Sequence, residues 1–324
     1  MEYRKMGDSD LVVSAIGFGC WEMGGNYGAI DTRDVTEAIR RALDLGVTLY
    51  DTARAYGAGR SEELLGRALG ADRQRVVVVT KCGLPTRPDQ KPRRDARYAS
   101  IIEDCEQSLR SLNTDYIDLF LVHWPDVETP IEETMRALND LRAAGKVRYV
   151  GVSNFSAAQL RECRRYAPII ANQVGYNLFD RRWEREMFPT ARELGVSIMA
   201  YGPLAHGLLT GAFTPETTFE ESDWRSRGIV FGQALFTPEN FPKNLRVVDQ
   251  LKTFAADKGT TLPRLALAWV LSNPQVAVAL SGTRRPAEIE ENVQALRVHL
   301  TADDKRQLEE IMTGAAGQVD QIPT

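Results

Sequence analysis

Three side chains that can hold or move a proton stand at the ends of apolar runs, and a fourth follows in a loop. Asp51 closes LYDT (49–52), Lys81 closes VVVVTK (76–81), and His123 falls near the end of IDLFLVHW (117–124). Tyr56 follows Asp51 in the short segment ARAYGAG (53–59). A tyrosine phenol has an ordinary pKa of about 10, so alone it is a poor proton shuttle at neutral pH. A nearby ammonium favours the phenolate and lowers that value. Asp51 would hold Lys81 charged and in place, and His123 would donate a hydrogen bond to an incoming oxygen. The set describes a tuned phenol aimed at a carbonyl oxygen, a proton donor for reduction. No side chain supplies a hydride, so a nicotinamide must.

Each residue also has a plain explanation. Asp51 could cap a turn, Lys81 could snorkel at a strand end, His123 could be a core histidine, and Tyr56 a loop aromatic. Taken together the four are harder to dismiss. Burying a lysine, a histidine and an aspartate without partners is costly, so mutual pairing is the economical solution.

The elements that must position them alternate along the chain. A hairpin is expected over Tyr3 to Gly7 and Leu11 to Ala15, followed by a first barrel strand at Ile16-Gly17-Phe18. Later strands read LYDT, VVVVTK, IDLFLVHW, VRYVGVSN (147–154), IIANQV (169–174), SIMAYG (197–202) and VAVALSGT (276–283). Helical patterns fall at Asp34 to Leu45, Arg97 to Leu112, Ile131 to Ala144, Ala157 to Tyr166, Arg185 to Leu194 and Leu262 to Leu271. A further helix start is expected at Ser61. Continuous Val/Ile/Leu runs suit strands buried on both faces, hence a parallel sheet. Eight such repeats predict an α/β fold: one (β/α)8 TIM barrel over 1–324 with an N-terminal hairpin. An open doubly wound sheet is the alternative. It would carry GxGxxG after an early strand, and Gly17-Phe18-Gly19 lacks the third glycine. The stretch from Pro203 to Asn244, after strand 7, is rich in Pro, Gly, Thr and aromatic residues. A loop that long in a compact domain is usually a lid or binding loop.

The chain has 324 residues, 43% apolar and 26% charged, with a net charge of −4. That balance argues against nucleic acid or an anionic membrane as the main partner. No apolar run reaches the roughly 18 residues a membrane span needs. The charged N-terminus MEYRKMGDSD has no apolar signal core, which predicts a cytoplasmic protein. Cys20, Cys82, Cys105 and Cys163 form no CxxC pair and no Cys/His cluster, so no metal site is expected. Cys20 and Cys82 each follow a strand and could lie near a site or simply pack in the core.

At this point the residues resemble the aldo-keto reductase family over essentially the whole chain. DTARAYGAGRSEELLG (51–66) is similar to its first signature, LFLVHWPD (119–126) to its fourth-strand histidine motif, and VRYVGVSNFS (147–156) to its fifth-strand motif. YGPLAHGLLTG (201–211) and SGTRRPAEIEENVQAL (281–296) resemble the cofactor segments of the bacterial and potassium-channel β-subunit-like branches. The resemblance implies that Tyr56 is the general acid/base, completed by Asp51, Lys81 and His123. It implies that Ser153, Asn154 and Gln173 bind the nicotinamide carboxamide and that Tyr201 stacks on the ring. Gly202, Leu204, Gly207 and Leu208 would lie along the pyrophosphate. Ser281, Gly282, Thr283, Arg284, Arg285, Glu288, Glu291 and Asn292 would surround the adenosine end.

The last segment supports this physically. Pro286 suits the first helical position, and the positive helix end disfavours Arg284 and Arg285 unless a phosphate is bound there. Some branches place Lys at Gly282 and Arg at Glu288 for the extra phosphate of NADP, and here neither is basic. Glu288 would accept from a ribose hydroxyl, which suits NADH/NAD+. Arg284 and Arg285 favour NADPH/NADP+. The substrate, a small carbonyl or alcohol, would meet Trp21, Tyr27, Trp124, Phe155 and Trp224 in an apolar pocket. His206 and His299 lack the strand-end position of His123 and are read as structural or exposed. Two other functions compete. One is an aldolase-type lyase with a Schiff base on Lys81. The other is a redox-reporting module that binds cofactor and turns over little.

Overall fold

The computed structural model describes residues 1–25, 30–85, 93–221 and 223–321. Strands β1 (Tyr3–Lys5) and β2 (Val12–Ser14) form the antiparallel hairpin, with Tyr3 opposite Ser14. Eight parallel strands then close a barrel: β3 (Ile16–Gly19), β4 (Leu49–Asp51), β5 (Val77–Cys82), β6 (Ile117–Val122), β7 (Val147–Ser153), β8 (Ile169–Gly175), β9 (Ser197–Tyr201) and β10 (Val276–Gly282). β10 pairs with β3 to complete the ring.

Side chains alternate across a strand, so every second residue enters the barrel. Leu49, Val79, Leu119, Leu121, Ala171, Met199, Val278 and Leu280 pack inside. The hairpin plugs one end of that interior with Met6 and Val13, both fully buried. Gly151 shares the layer because it is full: a Cβ there would fall 2.6 Å from Leu121 Cδ2 and 2.8 Å from the Ala171 carbonyl oxygen. The opposite register, including Tyr50, Val78, Phe120 and Val122, faces the helices in the larger core. Each fully buried Leu, Ile or Val contributes about 1.5–3 kcal/mol by leaving water.

The helices are α1 (Thr32–Asp44), α2 (Arg60–Leu69), α3 (Tyr98–Leu112), α4 (Ile131–Ala143), α5 (Ala157–Tyr166), α6 (Met187–Glu193), α7 (Phe241–Asp257), α8 (Leu262–Leu271), α9 (Pro286–Val293) and α10 (Ala302–Met312). Capping boxes start α5 at Ser156 with Gln159, and α10 at Thr301 with Asp304. α7 begins inside the stretch read as loop, because Pro242 is compatible with a first turn. Ser61 is not the cap of α2. Gly59, at φ 94°, takes that place, and Ser61 lies buried in the first turn, where its hydroxyl donates to the Cys20 carbonyl at 2.8 Å. Among the described residues no helix is long and apolar enough to cross a membrane.

The loop after β9 carries its own small core. Phe213, Phe219, Phe236 and Phe241 meet with centroids 5.4–6.2 Å apart. The Arg225 guanidinium lies over two of them, 4.7 Å from the Phe219 centroid. The buried Arg182 grips Asp180 through both oxygens, at 2.7 and 3.0 Å. Its Nη1 donates to the carbonyls of Phe231 and Gln321, each at 3.1 Å.

Candidate active site

The interior register carries the polar residues one step beyond the packed layer. Leu49 is followed two residues on by Asp51, Val79 by Lys81, Leu121 by His123, Gly151 by Ser153, Ala171 by Gln173, and Met199 by Tyr201. All six therefore arrive at the C-terminal mouth of the barrel, where active sites of this fold sit. Lys81 is 1% exposed and Asp51 4%. The Lys81 ammonium donates to Asp51 Oδ2 at 2.8 Å, to the Thr52 carbonyl at 2.8 Å and to Tyr56 Oη at 3.0 Å. Gln173 Nε2 donates to Asp51 Oδ1 at 2.7 Å. The His123 ring stands edge-on to Tyr56, centroids 5.8 Å apart.

Tyr56 is held by its turn. Gly57, Ala58 and Gly59 all have positive φ, of 62°, 54° and 94°. Only glycine, or a residue accepting strain, adopts that conformation. The turn backbone also lies against Gly24, where a Cβ would fall 2.9 Å from Gly57 N. Arg54 is half-buried and bonded within the protein. Its Nε donates to Gln107 on α3 at 2.9 Å and its Nη1 to the Ala58 carbonyl at 2.8 Å, which bolts the turn down.

Burial sets the proton positions. It pushes the Asp51 carboxyl up against the opposing pull of Lys81, and it lowers Lys81 against the pull of Asp51. The expectation that Lys81 lowers the Tyr56 phenol is not met in this structure. Burial, then the Asp51 charge, raises it well above its ordinary value, so the phenol keeps its proton. His123 is driven far below its usual value by burial and then by Lys81, so the ring is neutral. Its Nδ1 is buried without a hydrogen-bond partner. Burial likewise raises Cys20 and Cys82 well above the ordinary thiol value, which keeps both protonated.

A cavity of about 950 Å³ runs from this cluster to α9. Asp51, Tyr56, His123, Ser153, Asn154, Gln173 and Tyr201 line one end, with Trp21 and Trp124. Gly202, Leu204 and Gly207 follow, then Ser281, Gly282, Arg284, Arg285, Glu288, Glu291 and Asn292. At the strand ends the polar groups are bonded to one another. Tyr201 Oη donates to Asn154 Oδ1 at 3.0 Å, Asn154 Nδ2 to the His123 carbonyl at 3.2 Å, and Ser153 Oγ to the Gln173 carbonyl at 2.9 Å. Asn154 achieves this at φ 63°.

Several expected residues lie elsewhere. Leu208 and Thr283 are buried beside the cavity, not on its wall. Phe155 is 2% exposed and belongs to a separate hollow with Ile131 and Met135, because the left-handed turn at Asn154 directs the chain outward. Trp224 does not line the cavity, and its ring lies 5.1 Å from that of Trp21. Tyr27 lies outside the described residues. His206, read as structural or exposed, lines the cavity, 5.0 Å from the Trp224 ring and 5.4 Å from Phe231.

The α9 N-terminus also differs from expectation. Glu288 returns its carboxylate to that end, accepting the Arg284 N–H at 2.7 Å, the Arg285 N–H at 3.2 Å and Arg285 Nε at 3.0 Å. The place read as waiting for a phosphate holds the chain's own anion. Glu291 is engaged by Arg264 and Thr261 of the α8 start.

Phe231, Glu22 and Arg225 line the cavity too. None was signalled by spacing. The one hint was the aromatic richness of the long loop. Among the described residues no group of three His, Cys, Asp or Glu side chains is gathered to hold a metal ion.

Comparison with known proteins agrees with this architecture. A family profile described as Aldo/keto reductase family matches residues 15–313. The chain is 40% identical over 316 residues to the aldo-keto reductase YhdN of Bacillus subtilis, covering 96% of this chain and 94% of that one. It is 34% identical over 327 residues to the NADH-specific methylglyoxal reductase of Escherichia coli, covering 96% and 98%. The solved glycerol dehydrogenase of Gluconobacter oxydans superposes with a TM-score of 0.88 at 36% identity, covering 98% of this chain and 96% of that one. The chain belongs to the aldo-keto reductase family.

Proposed function

We propose that this protein reduces small aldehydes or ketones to alcohols, reversibly, with a nicotinamide dinucleotide in the cavity between the tetrad and α9. The observation that carries the reading is the Lys81 ammonium, which bonds Asp51 and the Tyr56 oxygen at once. The residues present suit the dinucleotide. The cavity size lies within the range of cofactor sites, and the buried His123 Nδ1 without a partner marks polar capacity at the reacting end.

When bound, the nicotinamide supplies the hydride. The chain supplies the rest. Tyr56 donates its proton to the carbonyl oxygen, and the Lys81 N–H left on Tyr56 Oη stabilises the resulting phenolate. Asp51 keeps Lys81 charged. The neutral His123 ring orients the carbonyl by donating a hydrogen bond. A phenol that holds its proton this firmly suits reduction, and oxidation requires the phenolate and is favoured as pH rises. A Schiff-base lyase needs a free neutral amine at Lys81, and three acceptors surround that nitrogen.

Arg284 and Arg285 favoured NADPH in the sequence. The Glu288 carboxylate beside them supports NADH, as does the name of the E. coli relative. Trp21, Trp124 and Phe231 on the cavity wall support apolar or aromatic carbonyls.

The test is turnover of a panel of aldehydes, ketones and sugars, followed by NADH and NADPH absorbance. Tyr56→Phe is expected to keep dinucleotide binding and to lose about 10²–10⁴ in kcat, the usual contribution of general acid catalysis. Near-normal turnover by the variant would sink the assignment. Binding without turnover across the panel would favour the redox-reporting module.

A further inference from the structure

Glu22 follows Trp21 in the loop after β3. Its Oε2 is buried and has no hydrogen-bond partner. The carboxyl lies across the backbone of Gly282, where a Cβ would fall 1.7 Å from Glu22 Oε1. Glu22 thus fills the space that any side chain at position 282 would need. Both residues line the cavity.

The charges facing Glu22 come from three other segments: Arg284 after β10, Glu288 on α9, and Arg225 on the loop after β9. It also acts on Cys20 and Tyr56. Glu22 is thus near enough to act on the proton donor as well as to feel Glu288 of α9. A dinucleotide that reaches both ends must pass it with its middle, and its middle is a pyrophosphate. An ionised carboxylate there would repel that group, and a protonated one would offer it an O–H.

We propose that Glu22 is a proton-linked cofactor residue: its carboxyl is protonated when the dinucleotide is bound, so binding takes up one proton. This rests on the reading that a nicotinamide dinucleotide occupies the cavity. Burial already holds the carboxyl at about 7. The bound anion raises it further, so affinity is greatest below about pH 7 and falls as pH rises through that value.

The experiment is NADH titration by isothermal calorimetry between pH 6 and 8.5, in two buffers of different ionisation enthalpy. NADH is used because it lacks the 2′-phosphate, a group of the kind that titrates at about pH 6. The wild type is expected to weaken by up to about tenfold per pH unit above neutrality, as one linked proton requires. It should also show proton uptake. Glu22→Gln is expected to bind with a flat profile near the acid limit, and Glu22→Ala to be flat as well. Tyr56→Phe should keep the wild-type slope. A flat wild-type profile, or an undiminished slope in Glu22→Gln, overturns the proposal. No NADH binding at any pH would instead overturn the cofactor reading on which it rests.

Discussion

Gln173 Nε2 donates to Asp51 Oδ1 at 2.7 Å, although 122 residues separate them in the chain. The other oxygen of the same carboxylate takes the Lys81 ammonium. One buried carboxylate is therefore shared between the proposed proton-transfer group and a residue expected to hold the nicotinamide carboxamide.

Gln173→Leu removes the donor to Asp51 Oδ1 and leaves that oxygen buried and unsatisfied. A loss of about 1–3 kcal/mol in folding stability is expected, read by chemical denaturation. Dinucleotide affinity should fall about tenfold in the same variant, with kcat also reduced. Unchanged stability and affinity would mean that the bond is incidental.

Glu288 is expected to decide between the two dinucleotides. With its carboxylate on the Arg284 and Arg285 N–H groups, the wild type is expected to prefer NADH in kcat/KM. Glu288→Ala frees those donors and the Arg285 guanidinium. The ratio of kcat/KM for NADPH over NADH should then rise about tenfold, ~1.4 kcal/mol. A wild type that prefers NADPH, or a ratio unmoved by the substitution, refutes this assignment.

His206 links the site to acid stability. Burial, then Arg225 and Arg182, lowers it to about 3. The unfolded value is about 6.5. Below that pH the unfolded chain binds the extra proton, so this contribution is present above about pH 6.5 and is lost as pH falls. The slope reaches about 1.4 kcal/mol per pH unit. Glu22 and Asp104, both raised to about 7 by burial, act in the opposite sense, so the difference between variants isolates the histidine. His206→Asn should lose less stability than the wild type between pH 7 and 5. Parallel pH curves for the two proteins would assign the ring another protonation state.

The barrel was legible because its strands are continuous apolar runs and because a period of two carries polar residues to the mouth. Asp51, Lys81 and His123 could be seen for that reason. Helix boundaries were less clear. Gly59 displaced Ser61 as the start of α2, and α10 passed unnoticed despite its Thr301 capping box. Phe155 shows the limit of adjacency: one left-handed residue, Asn154, turns the next side chain away from the site. The Glu288 carboxylate was visible as a residue, but its return onto Arg284 and Arg285 depends on the helix they begin. Phe231, Glu22 and Arg225 come from loops without periodicity, so only the closed fold brings them together.

Arg182 places one buried cation under both the tip of the long loop and the chain terminus, through the carbonyls of Phe231 and Gln321. The loop is thus tied at Tyr201 by the sheet and at Phe231 by this cation. Gln321, distant in sequence, shares an anchor with Phe231 on the cavity wall.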